Sequence, residues 1–145
     1  MAMIDVAKFG RSHKPVSLSD IAARQELSLN YLEQLFCRLR RAGLVQSTRG
    51  ALGGYLLAKS AAAVSVADIV QAADEPVKLT RCNIHDGKGC MADASRCLSH
   101  HLWDSLGSQI LSYLTSISLQ DVLDKNFPTV AFPEADQFSH LREAL

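Results

Sequence analysis

The sequence predicts a mainly α-helical chain with one small β-hairpin, and three observations predict it. Apolar residues recur at three- and four-residue steps across residues 29–42 and again across 98–117. Ser17-Leu-Ser-Asp20, Ser65-Val-Ala-Asp68 and Ser118-Leu-Gln-Asp121 place a hydroxyl three residues before an acid, the signature of a capped helix start. Two short apolar runs, Leu44-Val45 and Tyr55-Leu56-Leu57, flank a glycine cluster, as the strands of a hairpin do.

Taken in order, residues 1–10 read as a short helix with Met3, Ile4, Val6 and Ala7 apolar. Ser17 caps a second helix over 18–24, and Glu26-Leu-Ser28 reads as a turn with Ser28 as the next N-cap. In the helix over 29–42, Leu29, Leu32, Leu35, Phe36 and Leu39 form one stripe. Asn30, Gln34 and Arg41 project nearly opposite, with Tyr31 and Arg38 alongside, and Gly43 ends the helix in the left-handed conformation. Gly50, Gly53 and Gly54 make residues 46–54 a tight hairpin tip. A helix from Ser65 to about Ala73 follows, Pro76 interrupts, and residues 80–97 read as an irregular loop. The long helix over 98–117 puts Leu102, Trp103, Leu106, Ile110, Tyr113, Leu114 and Ile117 on one face. Ser118 caps one more short helix, and the tail after Phe127 reads as loose. Short helix, turn, amphipathic helix and glycine-tipped hairpin is the order of a winged helix-turn-helix. The expected division is 1–60 for that unit, 61–79 for a connecting helix, 80–100 for a cysteine loop, 98–126 for the long and final helices, and 127–145 for the tail.

Bulk properties narrow the class. At 145 residues and 48% apolar, the chain can bury one domain's core. It has no run of eighteen apolar residues and no basic start followed by an apolar stretch, so neither a membrane span nor a secretory signal is read and a cytoplasmic location is expected. Net charge is zero, but residues 1–59 carry nine Lys/Arg against four Asp/Glu and residues 60–145 carry six against eleven. A front half at +5 and a back half at −5 suggest a nucleic-acid module joined to something else. No phosphate-binding glycine loop and no nucleophile–base pair stands out, so no enzyme is read.

A helix-turn-helix lays its second helix in the major groove, with its N-terminal residues at the base edges. Ser28, Asn30, Tyr31, Glu33 and Gln34 fill those positions. Asn and Gln can grip adenine through two hydrogen bonds, and Glu can accept from the cytosine amino group. Arg38, Arg40, Arg41 and Arg49 supply charge for phosphates, with Arg49 at the wing.

The cysteines point to a different chemistry. Cys82, Cys90 and Cys97 fall within sixteen residues, and His100 follows two residues after the last. Three thiolates and an imidazole suit either tetrahedral zinc or an iron–sulfur cluster. Structural zinc favours pairs of closely spaced cysteines, which are missing here, so the pattern tilts toward iron and sulfide. Arg81, Lys88 and Arg96 would help keep the thiols ionised. His85 and His101 compete with His100 as fourth ligand, whereas Cys37, inside the amphipathic helix, reads as packing.

Leu29-Asn-Tyr-Leu-Glu-Gln-Leu-Phe-Cys-Arg-Leu-Arg40, Gly43-Leu-Val, Thr48-Arg-Gly, Gly53-Gly-Tyr-Leu-Leu57 and Arg96-Cys-Leu-Ser-His100 followed by Leu102-Trp103 closely resemble the bacterial iron–sulfur cluster assembly transcriptional regulators, the IscR family. The resemblance spans residues 3–123. It implies a homodimer paired through the long helix, which would cover an otherwise exposed apolar stripe. It also implies a [2Fe-2S] cluster on Cys82, Cys90, Cys97 and His100, supplied by the iron–sulfur assembly machinery, and regulation of cluster-assembly genes. The family positions matching Ser28, Tyr31 and Arg49 contact double-stranded DNA, and the one matching Glu33 takes part in discriminating sites. The intervals between the cysteines are longer than the family's, which leaves a [4Fe-4S] cluster open. Relatives begin earlier, with a basic segment opening the first helix, so the expectation is a truncated first helix or a misassigned start codon. The rival readings are a zinc- or thiol-redox-sensing regulator on the same fold, and an iron–sulfur electron-transfer or carrier protein without DNA binding.

Overall fold

Helix α1, Ala2–Phe9, buries Ala2, Met3, Val6 and Ala7 on its inward side. Asp5 lies among them at 6% exposure, and a carboxylate buried that far needs a partner. Arg24 supplies it from α2, Leu18–Gln25, with Nε 3.1 Å from Oδ2. The same guanidinium sits 4.5 Å from the centre of the Phe9 ring, a second tie between the helices. The computed structural model describes residues 1–10, 14–50, 52–74, 91 and 95–128.

Helix α2 starts as its sequence directs, the Ser17 hydroxyl accepting from the Asp20 amide at 3.1 Å. It ends where Glu26 turns left-handed at φ 54°. Two residues later Ser28 caps α3, Leu29–Arg41, by accepting from the Tyr31 amide at 3.2 Å. Leu32, Phe36 and Leu39 form the buried stripe of α3. Leu29, expected on that stripe, is exposed instead, because the first residue of the helix precedes the point where α3 meets the core. Gly43 takes φ 70° and donates to the Arg40 carbonyl while Leu44 donates to Leu39, each at 3.0 Å, a Schellman ending.

The hairpin pairs β1, Val45–Thr48, antiparallel with β2, Gly54–Leu57, with Val45 opposite Leu57 and Thr48 opposite Gly54. The first strand starts and ends later than the apolar run suggested. Gln46, Ser47 and Thr48 are exposed, so hydrophobic alternation could not mark them, and register with β2 extends the pairing. Val16 adds a bridge on the other edge of β2, exchanging both backbone hydrogen bonds with Tyr55 at 3.0 and 2.8 Å. A Cβ at residue 54 would run into the Val16 carbonyl, which explains glycine there.

A 3-10 turn, Ala61–Ala63, which the sequence did not signal, leads to α4, Val66–Ala72. Ser65 and Asp68 form a complete capping box at its start, each backbone N–H bonded to the other's side chain at 3.0 Å. The long helix α5 is His100–Ser116, shorter at both ends than the periodicity suggested. Ile117 leaves the helical stripe for an extended conformation and is buried, its carbonyl accepting from Val66 at 2.8 Å. Helix α6, Leu119–Asp124, has its own capping box, Ser118 with Asp121.

The core is one cluster. Met3 and Val6 of α1, Ile21 of α2, Leu32, Phe36 and Leu39 of α3, Val45 of β1, Val64 and Leu119 of α6 share it. Phe36 is its largest fully buried side chain and tilts against the Tyr55 ring at 4.8 Å between centroids. Truncating a buried phenylalanine costs about 3–5 kcal/mol. Helix α3 is therefore set by its back face, which leaves the front face to be chosen for contacts outside the chain.

Candidate nucleic-acid interface and metal centre

The front of α3 is polar and open. Asn30, Tyr31, Glu33 and Gln34 are exposed over its first two turns, directly after the capped N-terminus at Ser28. The Ser28 oxygen already accepts the Tyr31 amide, so its hydroxyl hydrogen remains for an acceptor outside the helix. Arg40 and Arg41 are exposed near the helix end, and Arg49 is exposed where β1 passes into the wing. The wing tip closes through a Gly53 amide to Gly50 carbonyl bond of 2.9 Å. Leu52 stands at its apex, 89% exposed, an apolar residue that the sequence reasoning passed over.

Arg38 departs from the others. Exposed like them, it also bonds within the chain, its Nη1 donating at 2.8 Å to the carbonyl of Ala73, just past the end of α4. Tyr31, Gln34, Leu35, Arg38 and Ala73 line a small groove between the recognition helix and α4. Periodicity put Arg38 beside the polar face but could not place α4 against it.

Helix α5 packs against α4, and its far end is tied there, the Ile117 carbonyl accepting from Val66 at the start of α4. Cys97 is half-buried in the turn before α5 and His100 is its first residue, 7% exposed. The His100 amide donates to the Cys97 carbonyl at 3.0 Å, and the Cys97 thiol lies 3.7 Å from the Ser99 hydroxyl. A thiol and an imidazole thus sit on one turn at the start of a helix. No side chain caps that helix start. His101, the alternative ligand, is exposed, with its ring edge-on to His100 at 5.6 Å.

Cys82, Cys90 and the alternative His85 lie outside the described residues, as do Arg81, Lys88, Pro76 and the tail after residue 128. Among the described residues no three potential ligands converge on one point. The two that are described fit a soft-metal or cluster site in donor type. Cys37 is half-buried on α3, on the wheel between core and surface.

The long helix carries a second open surface. Leu102 is 63% and Leu111 56% exposed, and Leu106 and Tyr113 are also solvent-facing. Among the described residues no helix is long and apolar enough to cross a membrane.

A capped reading helix preceded by a short helix and followed by a glycine-tipped hairpin defines a winged helix-turn-helix, the DNA-binding fold of transcription regulators. Residues 1–125 match the model of the Rrf2 family, described as an iron-dependent transcriptional regulator. The chain belongs to that family. It is 49% identical over 123 residues to the HTH-type transcriptional regulator IscR of Photorhabdus laumondii subsp. laumondii, covering 85% of this chain and 73% of that protein. Among solved structures, T. potens IscR superposes with a TM-score of 0.65 at 33% identity, covering 94% of this chain and 88% of that one. CymR, the global cysteine regulator of B. subtilis, gives a TM-score of 0.66 at 32% identity over 85% and 88%.

Proposed function

We propose that this chain is an iron–sulfur-cluster-sensing regulator of iron–sulfur assembly genes, acting as a cytoplasmic homodimer on double-stranded DNA. The observation that carries the proposal is the placement of Cys97 and His100 on one turn at the head of α5, a helix that packs against α4, which in turn packs against α3. Similarity to regulators named IscR supports the same reading.

Cys82, Cys90, Cys97 and His100 are the proposed holders of a [2Fe-2S] cluster, received from the assembly machinery. Bound there, the cluster would supply a redox-active centre and a cross-link that is lost when iron is short or oxidant is present. The thiols must ionise and the imidazole must be neutral to bind, so acid weakens occupancy. The exposed leucines of α5 pair two chains, which sets two α3 helices at successive major-groove faces about one helical turn apart. Ser28, Asn30, Tyr31, Glu33 and Gln34 then meet base edges, and Arg38, Arg41 and Arg49 meet phosphates or the minor groove.

Anaerobic purification followed by iron and acid-labile sulfide analysis and Mössbauer spectroscopy tests the proposal. Two irons and two sulfides per chain support it, and a four-iron spectrum changes the nuclearity. A colourless protein with stoichiometric zinc overturns it in favour of a zinc regulator on the same fold. A cluster-bearing protein without affinity for any DNA favours a carrier.

A further inference from the structure

We infer that Arg38 is the positioning residue through which the state of the Cys97–His100 turn reaches the recognition helix, by way of the Ala73 carbonyl at the end of α4. The inference rests on the cluster-sensing reading above and adds the route by which the two sites communicate.

Helix α4 packs against both α3 and α5. The chain enters α5 through Cys97 and His100, so the route has a change at that turn carried along α5 to its contact with α4. At its far end α4 stops at Ala72, and the Ala73 and Asp74 amides fold back onto Ile69 and Gln71 at 2.9 and 3.1 Å. Asp74 has φ 58°, and Cys82 follows eight residues later in the sequence. The Ala73 carbonyl, at a helix end where intrahelical donors run out, accepts instead from Arg38, thirty-five residues earlier. A guanidinium on a carbonyl is a charge-assisted bond with fixed direction.

Arg38 lies one helical turn after Gln34 on α3, and both face the groove that Ala73 closes. A guanidinium has five N–H donors in a rigid fork. It can hold the Ala73 carbonyl with one edge and present the other to a DNA phosphate only while the end of α4 stands at the right distance. When α4 shifts with α5, the fork must turn with Ala73 or let it go, and the face beside Gln34 changes. Coupling by such a two-position element is reciprocal, so DNA also biases the cysteine–histidine turn.

The test uses the full chain, reconstituted anaerobically with ferrous iron and sulfide, or emptied with a chelator. The probe is a duplex enriched from a random-sequence pool by the filled wild-type protein. Wild type, Arg38→Lys and Arg38→Met are titrated filled and empty, with iron and sulfide counted in each. The wild-type affinities differ between the two states by at least about fivefold, the lower end of ordinary coupling. Both variants keep wild-type iron and sulfide, and their filled-to-empty ratio falls toward one. In Arg38→Lys this happens although the charge for a phosphate is kept, because an ammonium lacks the fork. Variants that weaken both states equally while keeping the wild-type ratio overturn the inference and leave Arg38 a plain phosphate contact. A wild-type ratio of one is distinguishable from that result, since it removes the cluster-sensing reading itself.

Hydrogen exchange on wild type needs no variant. Emptying the protein changes protection at residues 69–74 and at 36–41 together. A change at the first segment with none at the second overturns the route.

Discussion

The His100 amide donates to the Cys97 carbonyl at 3.0 Å, which fixes two proposed ligands on a single turn at the head of a 17-residue helix. Their surroundings differ, and so do the consequences of losing them. Cys97 is half-buried at the rim, whereas His100 is packed away from solvent.

Cys97→Ala is expected to abolish visible absorption and leave far-ultraviolet circular dichroism unchanged, because among the described residues the core cluster contains no thiol, and Cys90→Ala is expected to do the same. His100→Ala is expected to weaken the cluster and also to lower the melting temperature, since it removes a buried ring. Anaerobic absorption, iron content and thermal denaturation measure all three. An undiminished His100→Ala spectrum moves the fourth ligand to His85 or His101, and outright unfolding of the cysteine variants makes the site structural.

Asp5 and Arg24 make a second prediction. Arg24→Ala strands a carboxylate that is 6% exposed, and the loss of such a partner costs about 1–3 kcal/mol, less than a fully buried pair would because Arg24 keeps partial solvent contact. Urea denaturation of Arg24→Ala and Asp5→Asn measures this. A shift below about 0.5 kcal/mol in Arg24→Ala, the level of an exposed pair, contradicts the buried-partner account.

The parts of this architecture that announce themselves in sequence are those with local causes. The three Ser-x-x-Asp starts each hold as read at Ser17, Ser65 and Ser118, because a cap involves neighbours three residues apart. Gly43 takes the left-handed conformation that a helix end needs. What could not be read depends on distant partners. Strand β1 extends through the polar Gln46, Ser47 and Thr48 because β2 is there to pair with. Ile117 looked like one more residue of the α5 stripe, and only the antiparallel bridge between Ser65 and Ser118 turns it inward. Arg38 had the spacing of a phosphate contact, and its bond to Ala73 follows from how α4 lies, which periodicity does not record. The exposed polar face of α3 and the Cys97–His100 spacing were legible because each lies within a few residues of chain.

Acid should loosen the fold through its caps. Hydrogen bonds from the Ser65 backbone and side chain hold the Asp68 carboxyl below its ordinary value of 3.8, and the Ser118 hydroxyl and backbone do the same for Asp121. The folded chain therefore binds fewer protons than the unfolded one just below pH 4. The stabilisation is complete above the unfolded value and is lost as pH falls through the depressed folded values. In Asp68→Asn and Asp121→Asn the melting temperature should fall less steeply between pH 5 and pH 2 than in wild type. Parallel curves for variants and wild type contradict the assignment.

The exposed leucines of α5 predict assembly through that helix. Leu102→Asp or Leu106→Glu places a charge on the proposed pairing face, and sedimentation should show a monomer with unchanged helical content, because neither residue belongs to the core. A dimer that survives both substitutions locates the subunit contact elsewhere.

The central claim is that filling the cysteine–histidine site changes which DNA the paired recognition helices prefer. Two selections from one random duplex pool, one with anaerobically filled protein and one with the same preparation emptied, test it most directly. The account predicts two different enriched sequences, with Glu33→Ala narrowing the difference between them. One identical sequence bound with equal affinity in both states, or protein that carries no iron when isolated without air, contradicts it.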